Sequence, residues 1–281
     1  MFKCSLNQFG EISKMIIAVL GAGKIGEAVA RGLSKSPKVS KVIVTKRNVS
    51  TLEGFKLEKK IEITTDNKKA AEKADLIVVA VKAGDAKHVL HEIAAFAPGK
   101  IIISLMAAIS IKSLQNTLPD SKIVRAMPNI AATIGESMTA YTPDQKLTKS
   151  DVENVEFVFG TFGDSLQVPE YLMDAVTALS GSGPAYIAVM IESLVSAGLK
   201  VGMPRDIAFK LAIKTLTGTA NLLSEKKMHP AELRDSVTTP AGTTIAGLYE
   251  LEKGSFRTSI MNAVEAATLA AEKVALKFQD H

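Results

Sequence analysis

The chain has 281 residues, of which 47% are apolar and 22% are charged, and its formal net charge is +5. This balance is typical of a soluble globular protein with one large or two modest domains. Because the Lys and Arg residues are interleaved with acids and no stacked aromatics accompany a basic run, the composition argues against nucleic-acid binding.

Residues 1–14 precede the first predicted strand and lack the apolar core of a signal peptide. We expect them to form an extension of little consequence, with Met1 and Met15 both open as the natural start. The only cysteine, Cys4, excludes an intrachain disulfide framework and fits a reducing cytoplasm. The longest uncharged apolar run, residues 101–111, is too short to span a bilayer, so we expect a cytoplasmic protein with no membrane partner.

Six β-rich runs alternate with helical patterns in the first half of the chain. Strands are predicted at residues 15–21, 41–45, 61–65, 75–81, 100–105 and 121–127. Helical segments lie between most of them, for example at residues 25–34 and 85–96. Continuous apolar strands alternating with helices are typical of a doubly wound parallel sheet. We therefore predict an α/β fold with a Rossmann-type dinucleotide-binding domain over residues 15–167.

The last third of the chain shows only helical spacing, at residues 171–179, 184–200, 205–226 and 256–278. Several of these helices are apolar or small over most of their circumference, and little more than a hundred residues could hardly bury such faces within one subunit. We predict that residues 168–281 form an all-α domain that self-associates. The expected assembly is at least a homodimer, with a higher oligomer of dimers left open.

The segment GAGKIG follows the first predicted strand and opens a helix, which is the context that G-x-G-x-x-G requires. Its first Gly allows a tight turn, its second lets the backbone approach a pyrophosphate, and its third permits close helix packing. Phosphates would lie on the free N–H groups of the helix N-terminus. The predicted cofactor-binding residues here are Gly21, Ala22, Gly23, Lys24, Ile25 and Gly26.

The loop after the second strand indicates the type of cofactor. NAD-preferring sites usually offer an acid there for the ribose hydroxyls, whereas this chain has Thr45-Lys46-Arg47-Asn48. A cationic loop of this kind would accept a 2′-phosphate, with Arg47 offering a fork of donors. We expect NADPH to be preferred, with NADH as a possible second cofactor.

Residues 236–244 carry five hydroxyl side chains, interrupted by a Pro and a Gly, and a helical pattern follows. Side chains suited to acid–base catalysis are otherwise few. His88 and His91 have no neighbouring acid or cysteine cluster, so no metal site is predicted. His229 precedes a proline and is interpreted as a structural or capping residue, and His281 is the terminus. The reaction should need positioning and little proton shuttling, which suits hydride transfer.

The segment LRDSVTTPAGTTIAGLYELE resembles the signature of pyrroline-5-carboxylate reductase, the last enzyme of proline biosynthesis. GAGKIGEAVARG, TDNKKAAEKADLIVVAVK, RAMPNI and DAVTALSGSGPAYIAVMIESL resemble the same family, in order, over nearly the whole chain. The resemblance implies NAD(P)H-dependent reduction of L-1-pyrroline-5-carboxylate to L-proline by an oxidoreductase.

The resemblance also implies site residues. In addition to the glycine loop, the cofactor would contact Lys46, Arg47, Asn67, Ala80, Val81, Lys82, Met106, Ala107, Ala108 and Ser236. The substrate would be held by Thr239, Gly242, Thr243 and Thr244 at a dimer interface. Thr239 and the backbone of residues 242–244 would grip the carboxylate, and the Thr244 hydroxyl would face the imine nitrogen as the catalytic group.

The chain departs from the family pattern at three positions. Ala83 replaces a Pro, Ala108 a Gly, and Ala241 the first of two Gly residues. A Cβ at Ala241 could narrow the carboxylate nest or forbid a positive φ, so these changes bear on affinity and rate more than on reaction class. Two alternatives stay open at this point: a related reductase, of another cyclic imine or of a β-hydroxyacid, or a non-catalytic NADP-binding homologue. A hydroxyacid enzyme would need a Lys or His general acid, for which no candidate is found.

Overall fold

The computed structural model describes residues 14–55 and 58–279, so the predicted N-terminal extension lies almost wholly outside the described residues. The chain divides into two units, one with the described residues up to Ser182 and from Ala267 onward, the other comprising Gly183–Ala266.

An eight-stranded sheet forms the centre of the first unit. Its strands are β1 (Met15–Leu20), β2 (Val39–Thr45), β3 (Ile61–Thr64), β4 (Leu76–Val79), β5 (Ile101–Ser104), β6 (Lys122–Met127), β7 (Ser137–Pro143) and β8 (Gly163–Gln167). Their spatial order is β3-β2-β1-β4-β5-β6-β7-β8. The first six strands are parallel, in the order of a dinucleotide-binding Rossmann sheet, whose switch point lies between β1 and β4. The predicted fold class is confirmed.

Helices cover both faces of this sheet. They are α1 (Lys24–Lys35), α2 (Asn67–Lys73), α3 (Ala86–Ile93), α4 (Ile111–Thr117), α5 (Lys149–Phe159) and the short α6 (Met173–Val176). Alternate residues of β1 enter different cores: Ile17 and Val19 pack with α1 and α5, whereas Ala18 and Leu20 pack with α2, α3 and α4. Burial on both faces explains why the parallel strands read as continuous apolar runs.

Two strands were not predicted. β7 runs antiparallel to β6, and β8 pairs in parallel with β7 at the edge of the sheet. The predicted helices at residues 85–96 and 171–179 are also less regular than expected. Short 3₁₀ turns flank α3, and α6 lies between a 3₁₀ turn at Glu170–Leu172 and a π-helical turn at Thr177–Gly181.

The remaining helices are α7 (Gly183–Lys200), α8 (Arg205–Lys226), α9 (Pro230–Ser236), α10 (Thr243–Lys253) and α11 (Phe256–Gln279). Within the second unit α7 and α8 approach closely, because Gly198 leaves room for the Ala208 side chain. Large apolar side chains stay exposed on these helices, among them Val189, Phe209, Leu211 and Met261. Among the described residues, one helical stretch, Glu170–Lys200, is long and apolar enough to cross a membrane by length and composition. A face buried between two subunits has the same exposed apolar character in a single chain.

Candidate active site

Gly21 and Gly26 meet the backbone requirements that their sequence context predicts, and Gly23 borders open space. Gly21 has φ 97°, and a Cβ there would lie 2.7 Å from the Val81 side chain. A Cβ on Gly26 would lie 2.0 Å from the Gly21 carbonyl oxygen, so only glycine lets α1 begin this close to β1. A Cβ on Gly23 would meet nothing within 4 Å, and no side chain caps the helix that follows. Free N–H groups therefore border open space, which suits the phosphates of a dinucleotide.

Hydrogen bonds join this loop to the turns after the neighbouring strands. The amides of Gly21 and Ala22 donate to the Thr45 carbonyl oxygen at 3.2 and 3.0 Å. On the other side, the amide of Ala80 donates to the carbonyl oxygen of Leu20 at 2.7 Å, and that of Leu105 donates to Val79 at 2.9 Å. The structure thus brings the turns after β1, β2, β4 and β5 to one edge of the sheet, and with them the predicted groups Gly21–Gly26, Lys46–Arg47, Ala80–Lys82 and Met106–Ala108.

In the turn after β5, two of the three predicted cofactor-contact residues have buried side chains. Met106 is only 2% exposed and packs in the core beneath the turn, and Ala108 is 7% exposed, whereas Ala107 faces solvent. Ala108 has φ 67°, a left-handed conformation that glycine adopts more easily.

The cationic loop after β2 is paired with acids that sequence reasoning missed. The Nζ atom of Lys46 lies 3.4 Å from a carboxylate oxygen of Glu27 in α1. The Arg47 guanidinium lies 3.2 Å from a carboxylate oxygen of Asp85, in the turn before α3. No acid stands among residues 45–48, so only the fold brings these carboxylates to the loop. Asn67, at the start of α2, donates a side-chain hydrogen bond to Glu92 at 2.7 Å.

The hydroxyl-rich segment separates into two kinds of side chain. Ser236 and Thr238 donate to the carbonyl oxygens of Leu233 and Arg234, at 2.8 and 2.6 Å, and so complete the end of α9.

Within the described part of the chain, the hydroxyls of Thr239, Thr243 and Thr244 make no hydrogen bond. These three lie at the N-terminus of α10, the helix predicted to begin near Thr243. Its N-cap, Gly242, supplies no side-chain acceptor, so the first N–H groups of α10 are free to bind an anion.

The turn that leads into α10 fixes the place of Thr239. The Gly242 amide donates to the Thr239 carbonyl oxygen at 3.0 Å, with Pro240 and Ala241 between them. Ala241 has φ 57°, so the chain adopts a positive φ here despite the Cβ. A Cβ on Gly242 would lie 2.3 Å from the Thr239 hydroxyl oxygen, which shows that this hydroxyl lies directly over the Gly242 backbone.

Three of the histidines make contacts within or at the start of their own helices. His229 is the N-cap of α9 and its Nδ1 accepts from the Ala231 amide at 3.2 Å, which confirms the capping interpretation. His88 lies 3.2 Å from Glu92, and His91 contacts the Lys87 carbonyl oxygen within its own helix. Among residues 14–55 and 58–279, no group of three or more potential metal ligands comes together.

A second feature that sequence reasoning missed lies where the sheet meets the start of the helical segment. Arg125 in β6 is 8% exposed in its side chain and pairs with Glu170 at 3.4 Å and Asp174 at 3.1 Å. Glu170 also accepts from the Ile111 amide at 2.7 Å. Asn129, from the RAMPNI stretch, caps the turn after β6 and donates to Ser180 at 3.3 Å. These contacts fix the first helical turns against the sheet.

Comparison with known proteins gives consistent matches. Residues 170–274 match the family model for pyrroline-5-carboxylate reductase dimerisation, and residues 16–108 match that for NADP oxidoreductase, coenzyme F420-dependent. A pyrroline-5-carboxylate reductase from Synechocystis is 38% identical over 93% of this chain and 98% of its own length. One from Methanosarcina acetivorans is 36% identical over 93% of this chain and 98% of its own length.

Solved structures agree with these relatives. The pyrroline carboxylate reductase of Plasmodium falciparum with NADP bound is 30% identical and matches with a TM-score of 0.84, over 94% of this chain and 99% of that one. The pyrroline-5-carboxylate reductase of Coxiella burnetii is 29% identical and matches with a TM-score of 0.86, over 93% and 98%.

Proposed function

Because this chain belongs to the pyrroline-5-carboxylate reductase family, it is an oxidoreductase, and we propose that it reduces L-1-pyrroline-5-carboxylate to L-proline with NADPH. The observation that carries this proposal is the arrangement at the start of α10. Three threonine hydroxyls and the free N–H groups of an uncapped helix are left together, while the neighbouring hydroxyls are used within α9. The curated relatives carry the same reductase name and do not favour the alternatives of a different imine or a binding protein.

The first unit has the features that a dinucleotide requires. The open space at Gly23 suits a pyrophosphate, Lys46 and Arg47 would meet the 2′-phosphate, and the turns at Ala80–Lys82 and Met106–Ala108 would line the nicotinamide side. We also propose Asn67, within this unit, and Ser236, a residue of the second unit, as cofactor contacts. The hydroxyl of Ser236 already donates within α9, which leaves its oxygen lone pairs as acceptors.

The second unit has the groups that a small carboxylate imine requires. Thr239 and the backbone N–H groups at the start of α10 would hold the carboxylate, since a helix N-terminus favours negative charge. The Thr244 hydroxyl would orient the imine nitrogen and hand over or relay its proton. The nicotinamide cofactor supplies a hydride to the imine carbon when bound. Because a protonated imine is itself electrophilic, holding the ring in position accounts for much of the acceleration, and the pH dependence of turnover should follow iminium formation.

We propose that the chain acts in proline biosynthesis in the cytoplasm. We also propose that residues 15–167 form a dinucleotide-binding domain and that residues 168–281 form a helical domain for dimerisation and substrate binding. The exposed apolar side chains of α7 and α8 and the match to a dimerisation family support a homodimer as the minimum. The substrate site would then be completed at the interface between subunits. We propose neither a nucleic acid nor a membrane as a partner.

The test is a spectrophotometric assay of NADPH oxidation with pyrroline-5-carboxylate, comparing Thr244→Ala with Thr238→Ala. Both variants remove a threonine hydroxyl from the same segment, but that of Thr238 is used inside α9. We expect Thr244→Ala to lower turnover at least about tenfold, with NADPH binding retained, and Thr238→Ala to stay near the wild-type rate. Full activity of Thr244→Ala would remove its proposed role. NADPH binding without any turnover, on this imine or a six-membered one, would favour the binding-protein alternative.

A further inference from the structure

The ion pair between Arg47 and Asp85 joins two loops at the edge of the sheet where the predicted cofactor contacts lie. Arg47 follows β2 and Asp85 lies in the 3₁₀ turn Ala83–Asp85 after β4. These two strands flank β1 on opposite sides, so a side-chain bridge between the loops that follow them passes the carboxyl end of β1. The glycine loop leaves the sheet at that end. The pair therefore lies at the switch point where a dinucleotide crosses a sheet of this order.

Among the described residues, Arg47 is the one ion-pair partner of the Asp85 carboxylate. Asp85 is the N-cap residue of α3, but its side chain accepts no capping hydrogen bond from the helix. Its side chain is 38% exposed, and its guanidinium partner is 90% exposed. An ion pair between groups this exposed contributes little to stability. It can nevertheless control where the Arg47 guanidinium lies before a cofactor arrives.

Both cations of the loop after β2 have a carboxylate partner. Lys46 pairs with Glu27 and Arg47 pairs with Asp85, so two cations face two carboxylates. The two cations that the sequence shows in this loop are thus each paired with a carboxylate in the folded protein. A 2′-phosphate carries about two negative charges and accepts hydrogen bonds strongly. It would compete with the Asp85 carboxylate, which accepts from one Nη atom of Arg47, for the guanidinium donors.

We propose that Asp85 is a specificity-determining residue that competes with the 2′-phosphate of NADPH for the Arg47 guanidinium and so lowers the preference for NADPH over NADH. This rests on the proposed function, which assigns Arg47 to the 2′-phosphate. NADH has no group at that position, so its binding gains nothing when Arg47 is released. Removing the negative charge of Asp85 should therefore favour one cofactor selectively.

The test measures equilibrium binding of NADPH and of NADH, each by nicotinamide fluorescence, to the full chain and to Asp85→Asn. Asparagine keeps the size and the N-cap preference of aspartate. We expect NADPH to bind about two- to fivefold more tightly to the variant, the change that loss of one exposed ion pair produces. NADH should change by less than about 1.5-fold, and the NADPH gain should shrink at high salt.

Two further variants make the result specific. Glu62→Gln removes the same charge from an exposed ion pair, with Lys41 at 2.9 Å and a side-chain exposure of 37%, but within β3 and not at the cofactor edge. It should leave both affinities unchanged. In an Arg47→Ala background, Asp85→Asn should no longer discriminate between the cofactors.

Equal tightening of NADPH and NADH by Asp85→Asn would overturn the proposal, because Asp85 would then act through general charge. Weaker NADPH binding, or an unchanged Asp85→Asn effect without Arg47, would also overturn it. Because binding needs no turnover, an inactive protein that still shows the selective gain would contradict the proposed reaction alone. Absence of NADPH binding by the wild-type chain would refute both.

Discussion

Ala241 offers a direct test of how backbone geometry controls the substrate segment. The residue is the third of the turn Thr239–Gly242, follows a proline, and has φ 57°. A turn whose second residue is proline and whose third residue has a positive φ is a type II turn, which normally has glycine at its third position. We predict that Ala241→Gly stabilises the protein.

The magnitude follows from two opposing terms. An alanine in the left-handed region costs about 1–2 kcal/mol that glycine does not incur. Glycine in turn loses more freedom on folding, which offsets about 0.4–1 kcal/mol of that gain. Since Ala241 is exposed, no buried methyl group is lost. The expected net gain is about 0.5–1 kcal/mol, or a rise of about 1–2 °C in Tm for a chain of this length.

Ala108 is the matched comparison. It also has a positive φ, 67°, and also stands where the family has glycine, but it is only 7% exposed. Ala108→Gly removes a buried methyl group worth about 0.8 kcal/mol, so we expect it to be close to neutral. Both variants should be compared with the wild type by thermal unfolding at one protein concentration, because an oligomer's Tm depends on concentration.

The decisive result is the contrast between the two variants. If Ala241→Gly is less stable than the wild type, the positive φ does not strain the chain and the reasoning fails. If Ala108→Gly stabilises as much as Ala241→Gly, burial does not offset the backbone term, and the two-term account is wrong.

Two more predictions follow from contacts in the separate units. Gly242→Ala should raise the KM for pyrroline-5-carboxylate about tenfold or more, because the new Cβ would lie 2.3 Å from the Thr239 hydroxyl and displace it; an unchanged KM in steady-state kinetics would exclude Thr239 from substrate binding. Burial alone would raise the pKa of the Asp151 carboxyl, but hydrogen bonds from Lys122 and Thr148 hold that pKa below its ordinary value. The resulting stability is present above the unfolded pKa of about 3.9 and is lost as the pH falls through the folded pKa. Asp151→Asn should thus lower the free energy of unfolding by about 1–2 kcal/mol at pH 7, and a denaturation series in which that difference does not shrink in acid would contradict the shift.

The sequence predicted the six parallel strands because each is rich in β-branched or apolar residues, and several, such as β1 and β4, are continuous apolar runs. It did not predict β7, which reverses the expected pattern: Ser137 and Thr139 are buried while Met138 is 44% exposed. β8 is polar and lies at the edge of the sheet, paired only with β7 among the described strands. Neither strand has the alternation or the apolar run from which strands are recognised.

The sequence predicted the motifs of the candidate site but not its ion pairs. The glycine loop and the start of α10 depend on local spacing, so their positions could be predicted. The pairing of Arg47 with Asp85 joins residues 38 positions apart, and that of Arg125 with Glu170 joins residues 45 apart. Contacts of this kind arise from the strand order, which brings together loops that the sequence separates.

The two glycines that the family places after the segment's proline are not equivalent, and the structure explains which one this chain could replace. At Ala241 the need is for a positive φ, and the Cβ meets solvent, so alanine carries a backbone cost and no clash. At Gly242 the backbone is extended, with φ −80°, so any residue could adopt the conformation, but the Thr239 hydroxyl occupies the place of a side chain. A strained turn can be tolerated at about 1 kcal/mol, whereas moving Thr239 would remove a proposed ligand of the substrate. The retained glycine is therefore the one on which the proposed substrate pocket depends.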